Sequence, residues 1–275
     1  AKLPDFNSAS VRTVKLSMGR KQLFLDNDAV ARLENVKRQL HPPQKYGPVI
    51  RPDRPWEGGG LEIRSGPAWS REEKIWKLWY LGGDGESLIL YATSEDGLHW
   101  SKPLLNRVMA GGSKQNNAIT ADPSLKWPEN AMLNIIYDPD DPDPQRRYKG
   151  FLGAFGRKPI VSAEGVDWHR LNVPNIESSD ESHLFRDPVS RLYVATVKHG
   201  GPYGRSVYLS VSKDFERWTD PRDCLIFHAD KRDQELGAAR VRMHVESQDL
   251  RKPTINQPEE YQTDIYNLPV FSYEG

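Results

Sequence analysis

One ten-residue phrase occurs three times in this chain: S-E-D-G-L-H-W-S-K-P from Ser94, S-A-E-G-V-D-W-H-R-L from Ser162 and S-K-D-F-E-R-W-T-D-P from Ser212. Each copy follows an alternating apolar run (Leu88 to Thr93, Pro159 to Val161, Val207 to Val211) and brings in a Trp six residues after its Ser, at 100, 168 or 218. That pattern reads as a strand, a tight turn on Asp/Glu-Gly or Asp-Phe, and a short return strand whose indole packs on its own sheet. The upstream halves match too, since L-N-I-I-Y-D-P ending at Pro139 and H-L-F-R-D-P from His183 both turn at Asp-Pro. Self-similarity at this period, built of strands, is the mark of a β-propeller blade. The expected fold is therefore all-β, a propeller of four-stranded antiparallel blades.

Taken in order, residues 1–55 are expected to form an N-terminal arm. It holds a short strand at Gln22 to Leu25 and a helix capped by Asp26-Asn27-Asp28, with Val30, Leu33, Val36 and Leu40 on one face. Residues 56–275 are expected to form blades one to three and the start of blade four. The innermost strand of blade one falls near Leu61 to Ser65, with later strands at Ile75 to Leu81 and Leu88 to Thr93. Blade two runs from Met132 to Leu171 and blade three from Ser182 to Trp218. Lys231 to Asp249 reads as a short helix or an extended loop, and Asp264 to Phe271 as the innermost strand of blade four. Three blades and a strand leave sheet edges open. The ring is thus expected to be incomplete in this chain, with more polypeptide or another subunit completing it.

Composition narrows the function. Formal net charge is zero and the pI is near 7.3, which argues against nucleic acid or an acidic membrane surface as partner and favours a neutral ligand. The single Cys224 cannot form an intramolecular disulfide, and no Cys/His cluster has zinc spacing. No Walker, Rossmann or Ser-His-Asp motif is present, so no cofactor is implied, although a structural calcium ion is compatible with the reading. No apolar run approaches the length of a membrane span. A secreted or periplasmic location fits such a chain.

The S-E-D-G-L-H-W and S-A-E-G-V-D-W turns, preceded by a hairpin such as L-F-R-D-P-V-S-R-L-Y-V, resemble those of the five-bladed propeller glycosidases. These are the invertase, levansucrase and arabinanase superfamily of glycoside hydrolase families 32, 43, 62, 68 and 117. Q-L-F-L-D-N-D, L-H-P-P, R-P-D-R-P-W-E-G and Y-D-P-D-D-P-D-P-Q-R-R-Y-K further resemble bacterial family 32-like hydrolases, and the similarity covers residues 21 to 275. The resemblance implies a five-bladed ring and a carbohydrate substrate. It also implies a funnel in which carboxylates from different innermost strands cleave a glycosidic bond, one as acid and one as nucleophile or base. Arg186-Asp187-Pro188 matches the invertase triplet, but its place after His183 to Phe185 makes it a hairpin turn.

Acids expected at the funnel are those before each innermost strand: Asp180 with Glu181 beside it, Asp264, and Glu57 with Glu62 as the nearby alternative. Blade two offers Asn117, Asp122, Glu129 or Asn130. Trp56, Asn117, His183, His199, Tyr203, Arg205 and Tyr266 are the expected sugar-binding residues. A non-catalytic carbohydrate-binding propeller is the alternative. So is a phosphate-dependent glycosidase, in which Arg157, Lys158 and Arg205 would hold the anion.

Overall fold

The computed structural model describes residues 15, 18, 19, 27, 30–83, 87–247 and 262–272. The chain divides into two units, Ala1–Tyr46 with Ser272–Gly275, and Gly47–Phe271. In the first unit the expected strand lies outside the described residues, and the expected helix is absent. Residues 30–46 run without regular structure, Asn35 takes a left-handed φ of 54°, and Leu33, Val36 and Leu40 are exposed. A helix this short depends on burying its apolar stripe, and this stripe is not buried.

The second unit carries three four-stranded antiparallel sheets. Blade one contains β1 (Ala68–Ser70), β2 (Ile75–Gly82), β3 (Leu88–Ser94) and β4 (Ala118–Ile119). Blade two contains β5 (Met132–Tyr137), β6 (Tyr148–Leu152), β7 (Lys158–Ser162) and β8 (His169–Arg170). Blade three contains β9 (His183–Arg186), β10 (Tyr193–Gly201), β11 (Gly204–Ser212) and β12 (Leu225–Phe227), and the helix α1 (Lys231–Glu246) follows. Each blade is a meander, and the innermost strand β5 lies beside both β1 and β9. The fold is an all-β propeller type, and its three blades do not close a ring among the described residues.

Two details of the sequence reading are corrected. The residue returning from the turn makes only an isolated bridge in blades one and three, Thr93 with Ser101 and Ser212 with Trp218, and the fourth strand comes later. Pro103 and Pro221 follow those returns, and proline cannot donate to a ladder. Asp264 to Phe271 also forms no strand. It crosses blade three on scattered bonds: Ile265 N–H to the Arg205 carbonyl at 3.0 Å, and the Thr196 hydroxyl to the Leu268 carbonyl at 3.0 Å.

The repeated phrase makes the same turn three times. Ser94, Ser162 and Ser212 accept through Oγ from the N–H three residues on, at 2.9, 2.8 and 2.9 Å. Asp96, Glu164 and Asp214 then accept from the next N–H groups, and each Trp donates Nε1–H to the carbonyl at the turn's left-handed residue. That residue is Gly97, Gly165 or, unusually, Phe215 at φ 65°. The strain at Phe215 is offset by packing, because its ring is fully buried and stacks on Phe151 with centroids 5.9 Å apart.

The turn of one blade also locks to its neighbour. Trp79 of β2 is 2% exposed, packs against Tyr91, Tyr148 and Trp168, and donates Nε1–H to the Gly165 carbonyl at 2.7 Å. A Cβ on Gly165 would lie 2.5 Å from Trp79 Cζ2, and Gly165 has φ +88°. Gly165→Ala is therefore expected to cost about 2–4 kcal/mol, from backbone strain plus overpacking, read as a lowered midpoint in urea.

Candidate active site

A cavity of about 840 Å³ lies along the innermost strands, lined by Glu62, Arg64 and Ser65 ahead of β1, by Asn134 to Tyr137 of β5, by Glu181, Ser182 and β9, and by Tyr266. Its size suits a small-molecule or oligosaccharide pocket. The inner edge of blade one is interrupted. Glu62 bridges Leu81 at the upper end of β2, residues 63–67 leave the ladder, and β1 resumes pairing at Ala68. The strand expected at Leu61 to Ser65 is therefore not formed: only Glu62 pairs there, and the inner strand of blade one is Ala68–Ser70.

Arg64 joins two acids from different blades. It hydrogen-bonds Glu181 through Nη1 and lies 2.5 Å from Glu62 Oε1 through Nη2. Glu181 is nearly buried and also lies 3.4 Å from the Tyr266 hydroxyl. Behind this pair the inner strands are stitched by polar bonds. Asn134, left-handed at φ 54° within a bulge of β5, donates Nδ2–H to the Ser182 carbonyl at 2.8 Å, and its N–H reaches the Arg64 carbonyl at 3.2 Å. Bulges of this kind re-aim side chains near sites.

Asp180 and Asp264 meet in one charged cluster beside the cavity, without lining it. Lys198 Nζ bonds Asp180 at 2.8 Å, and Arg205 grips Asp264 through Nε at 2.6 Å and Nη2 at 3.2 Å. Both cations lie on the Tyr266 ring, at 4.0 Å for Lys198 and 4.7 Å for Arg205. Tyr266, which the sequence reading placed as a sugar contact, thus carries two cations on its ring while staying half-exposed at the cavity. The Lys198 hydrogen bond holds Asp180, and the Arg205 hydrogen bond holds Asp264, below the usual carboxylate range. Stabilisation from such depressed groups is present above about pH 4 and lost as pH falls through their folded-state values. Hydrogen exchange at Ile265 N–H is expected to lose protection over that acid range in the wild type, and to be unprotected already at neutral pH in Arg205→Ala.

Other expected residues lie elsewhere. Glu57 is fully buried and saturated: it accepts from the N–H groups of Asp53 and Arg54, from the Tyr80 hydroxyl at 2.7 Å and from Lys102 at 2.8 Å. Burial, and then this bond to Glu57, push the Tyr80 phenol far up. Asn117 is also fully buried, accepting from Trp56 Nε1 at 2.7 Å and donating to Tyr80 and the Tyr91 carbonyl. Glu57, Trp56 and Asn117 thus fasten residues 53–57 to blade one, away from the cavity. His199 bonds the Glu177 carbonyl at 2.9 Å and packs on Tyr208, and Tyr203 stands at the β10–β11 turn. Neither lines the cavity.

His183 does line it, with Nδ1 accepting from Val270 N–H at 3.4 Å and burial holding its pKa below the usual value. Asp187 closes the β9–β10 hairpin, taking the Ser190 N–H at 2.8 Å. Arg157 is fully buried, and Lys158 is paired with Glu129, so the phosphate-binding trio is not assembled. Among the described residues no group of three or more His, Cys, Asp or Glu is placed to hold a metal ion.

No protein-family model matches the sequence, and no curated protein matches it. Among solved structures the chain is similar to a glycoside hydrolase, at 15% identity over 62% of this chain and 58% of that one, TM-score 0.45. It is also similar to a glycosyl hydrolase from Bacteroides ovatus, at 14% identity over 67% and 58%, TM-score 0.44. A third is the β-fructofuranosidase from Schwanniomyces occidentalis in complex with fructosyl-erythritol, at 14% identity over 60% and 34%, TM-score 0.39. The matched region spans less than two thirds of each of these proteins.

Proposed function

We propose that this protein is a glycoside hydrolase that cleaves an oligo- or polysaccharide in the inner-strand cavity, with Glu181 and Glu62 as its two carboxylates. The observation that carries the reading is Arg64 bridging acids from blade one and blade three at the wall of an 840 Å³ cavity. Glycoside hydrolysis needs two carboxyl groups flanking the scissile bond, one to protonate the leaving oxygen and one to act as nucleophile or to activate water. Asp180 and Asp264 are paired with Lys198 and Arg205 beside the cavity and do not line it. Their part in this reading is to fix Lys198, Arg205 and Tyr266 beside the acids. The reading includes a five-bladed ring, of which the described residues supply three blades.

A screen of aryl glycosides and polysaccharides tests the proposal. Turnover by the wild type, lost in both Glu181→Gln and Glu62→Gln while the folded spectrum is kept, is the expected result. A second reading is a non-catalytic carbohydrate-binding propeller, favoured by the engagement of both cavity acids by Arg64. Sugar binding without turnover, unaltered in Glu181→Gln, would select it.

A further inference from the structure

Arg157, immediately before β7, is fully buried, and among the described residues its guanidinium hydrogen-bonds neutral acceptors. Nη1 donates to the carbonyls of Gly153 at 2.8 Å and Ala154 at 2.7 Å, Nη2 donates to the Asp180 carbonyl, and Nε donates to Ser182 Oγ at 2.6 Å. Burying a cation among neutral acceptors is costly, and it lowers the Arg157 pKa to about 10. The residues it grips flank the candidate site. Asp180 is left-handed at φ 49°, an uncommon conformation that Asp tolerates better than most residues. Ser182 passes the contact on, donating to Asn134 Oδ1 at 2.5 Å, and Asn134 in turn bonds the Arg64 carbonyl.

We propose that Arg157 is the positioning residue of this site. By capturing the Asp180 carbonyl and the Ser182 hydroxyl it fixes the left-handed corner, turning Glu181 into the cavity and Asp180 outward to Lys198. A plain extended strand would also send these two side chains to opposite faces, but the corner decides which of them faces Arg64. Lysine cannot replace arginine here. A single ammonium cannot reach carbonyls on one side and a hydroxyl on the other with the fixed spread of a guanidinium fork. The kinetic consequence rests on the hydrolase reading; the geometric consequence does not.

The test has two arms in a Cys224→Ser background. In the first, the thiol of Glu181→Cys is labelled with iodoacetamide, with Arg157 intact or as Arg157→Lys. Labelling several-fold faster in the lysine variant, with the near-UV spectrum retained, is expected; an unchanged rate overturns the proposal. If Arg157→Lys does not fold, Ser182→Ala, which removes only the Nε acceptor and the link to Asn134, must accelerate labelling in the same direction, and an unchanged rate again overturns it. In the second arm, on whichever aryl glycoside the wild type turns over, Arg157→Lys should lose about 100-fold in kcat with KM little changed. Low-millimolar guanidinium should restore part of that rate in Arg157→Ala. Equal loss in kcat and KM without rescue would overturn the positioning role. Absence of any wild-type turnover would count against the hydrolase reading, while the labelling arm still decides the role of Arg157.

Discussion

Trp79→Ala is expected to cost about 3–5 kcal/mol of stability, the range for truncating a large buried aromatic residue. Against the usual 5–15 kcal/mol of a folded domain, that leaves little margin. The loss has two sources. The indole fills the seam between blades one and two, touching Tyr91 on its own sheet and Tyr148 and Trp168 on the next. It also satisfies the Gly165 carbonyl, which would keep only its bond from Trp168 at 2.9 Å. Trp79→Phe separates these contributions, because it keeps most of the apolar contact and loses the hydrogen bond. It is expected to recover more than half of the stability, as measured by urea unfolding followed by circular dichroism. Equal destabilisation by Phe and Ala would mean that the hydrogen bond, and not the packing, holds the seam.

The second large effect concerns Glu181. If it serves as acid or base, Glu181→Gln should lower kcat about 10²- to 10⁴-fold with the thermal midpoint close to wild type. The amide keeps the shape and can still accept from Arg64. Glu57→Gln provides the contrast. Glu57 accepts from two backbone N–H groups, a tyrosine and a lysine in a fully buried site. Neutralising it weakens these charge-assisted bonds, although Lys102 keeps the Asp53 carboxylate at 2.7 Å, and should destabilise the protein by about 1–3 kcal/mol, with any turnover by the remaining folded fraction intact. The two glutamate variants therefore fail in opposite ways, one in rate and one in folding, and a single melt plus a single assay distinguishes them.

The blades were legible in the sequence because their signal is local. Ser, acid, Gly (Phe in the third copy) and Trp at fixed spacing specify one turn by hydrogen bonds that span two or three residues each, and alternating apolar runs specify the strands that lead into it. The Asp-Pro hairpins at Asp138 and Asp187 were legible for the same reason. For blade three the sequence reading favoured Asp180, with Glu181 beside it, and it is Glu181 that lines the cavity. Choosing between them required the φ of Asp180, which Arg157 imposes from another blade. Glu62 was only the alternative to Glu57, because nothing local distinguished the two. Glu57 was misplaced because W-E-G-G-G looks like an exposed loop, and only the folded chain brings Tyr80 and Lys102 onto its carboxylate. The N-terminal apolar stripe failed as a helix for a related reason, since periodicity describes a face but does not supply a surface to bury it. Short-range hydrogen bonding and side-chain alternation, both contained in the sequence, thus determined what each blade is. The meeting of Arg64, Glu62, Glu181 and Arg157 depends on contacts between residues far apart in the chain, and only the tertiary structure could decide it.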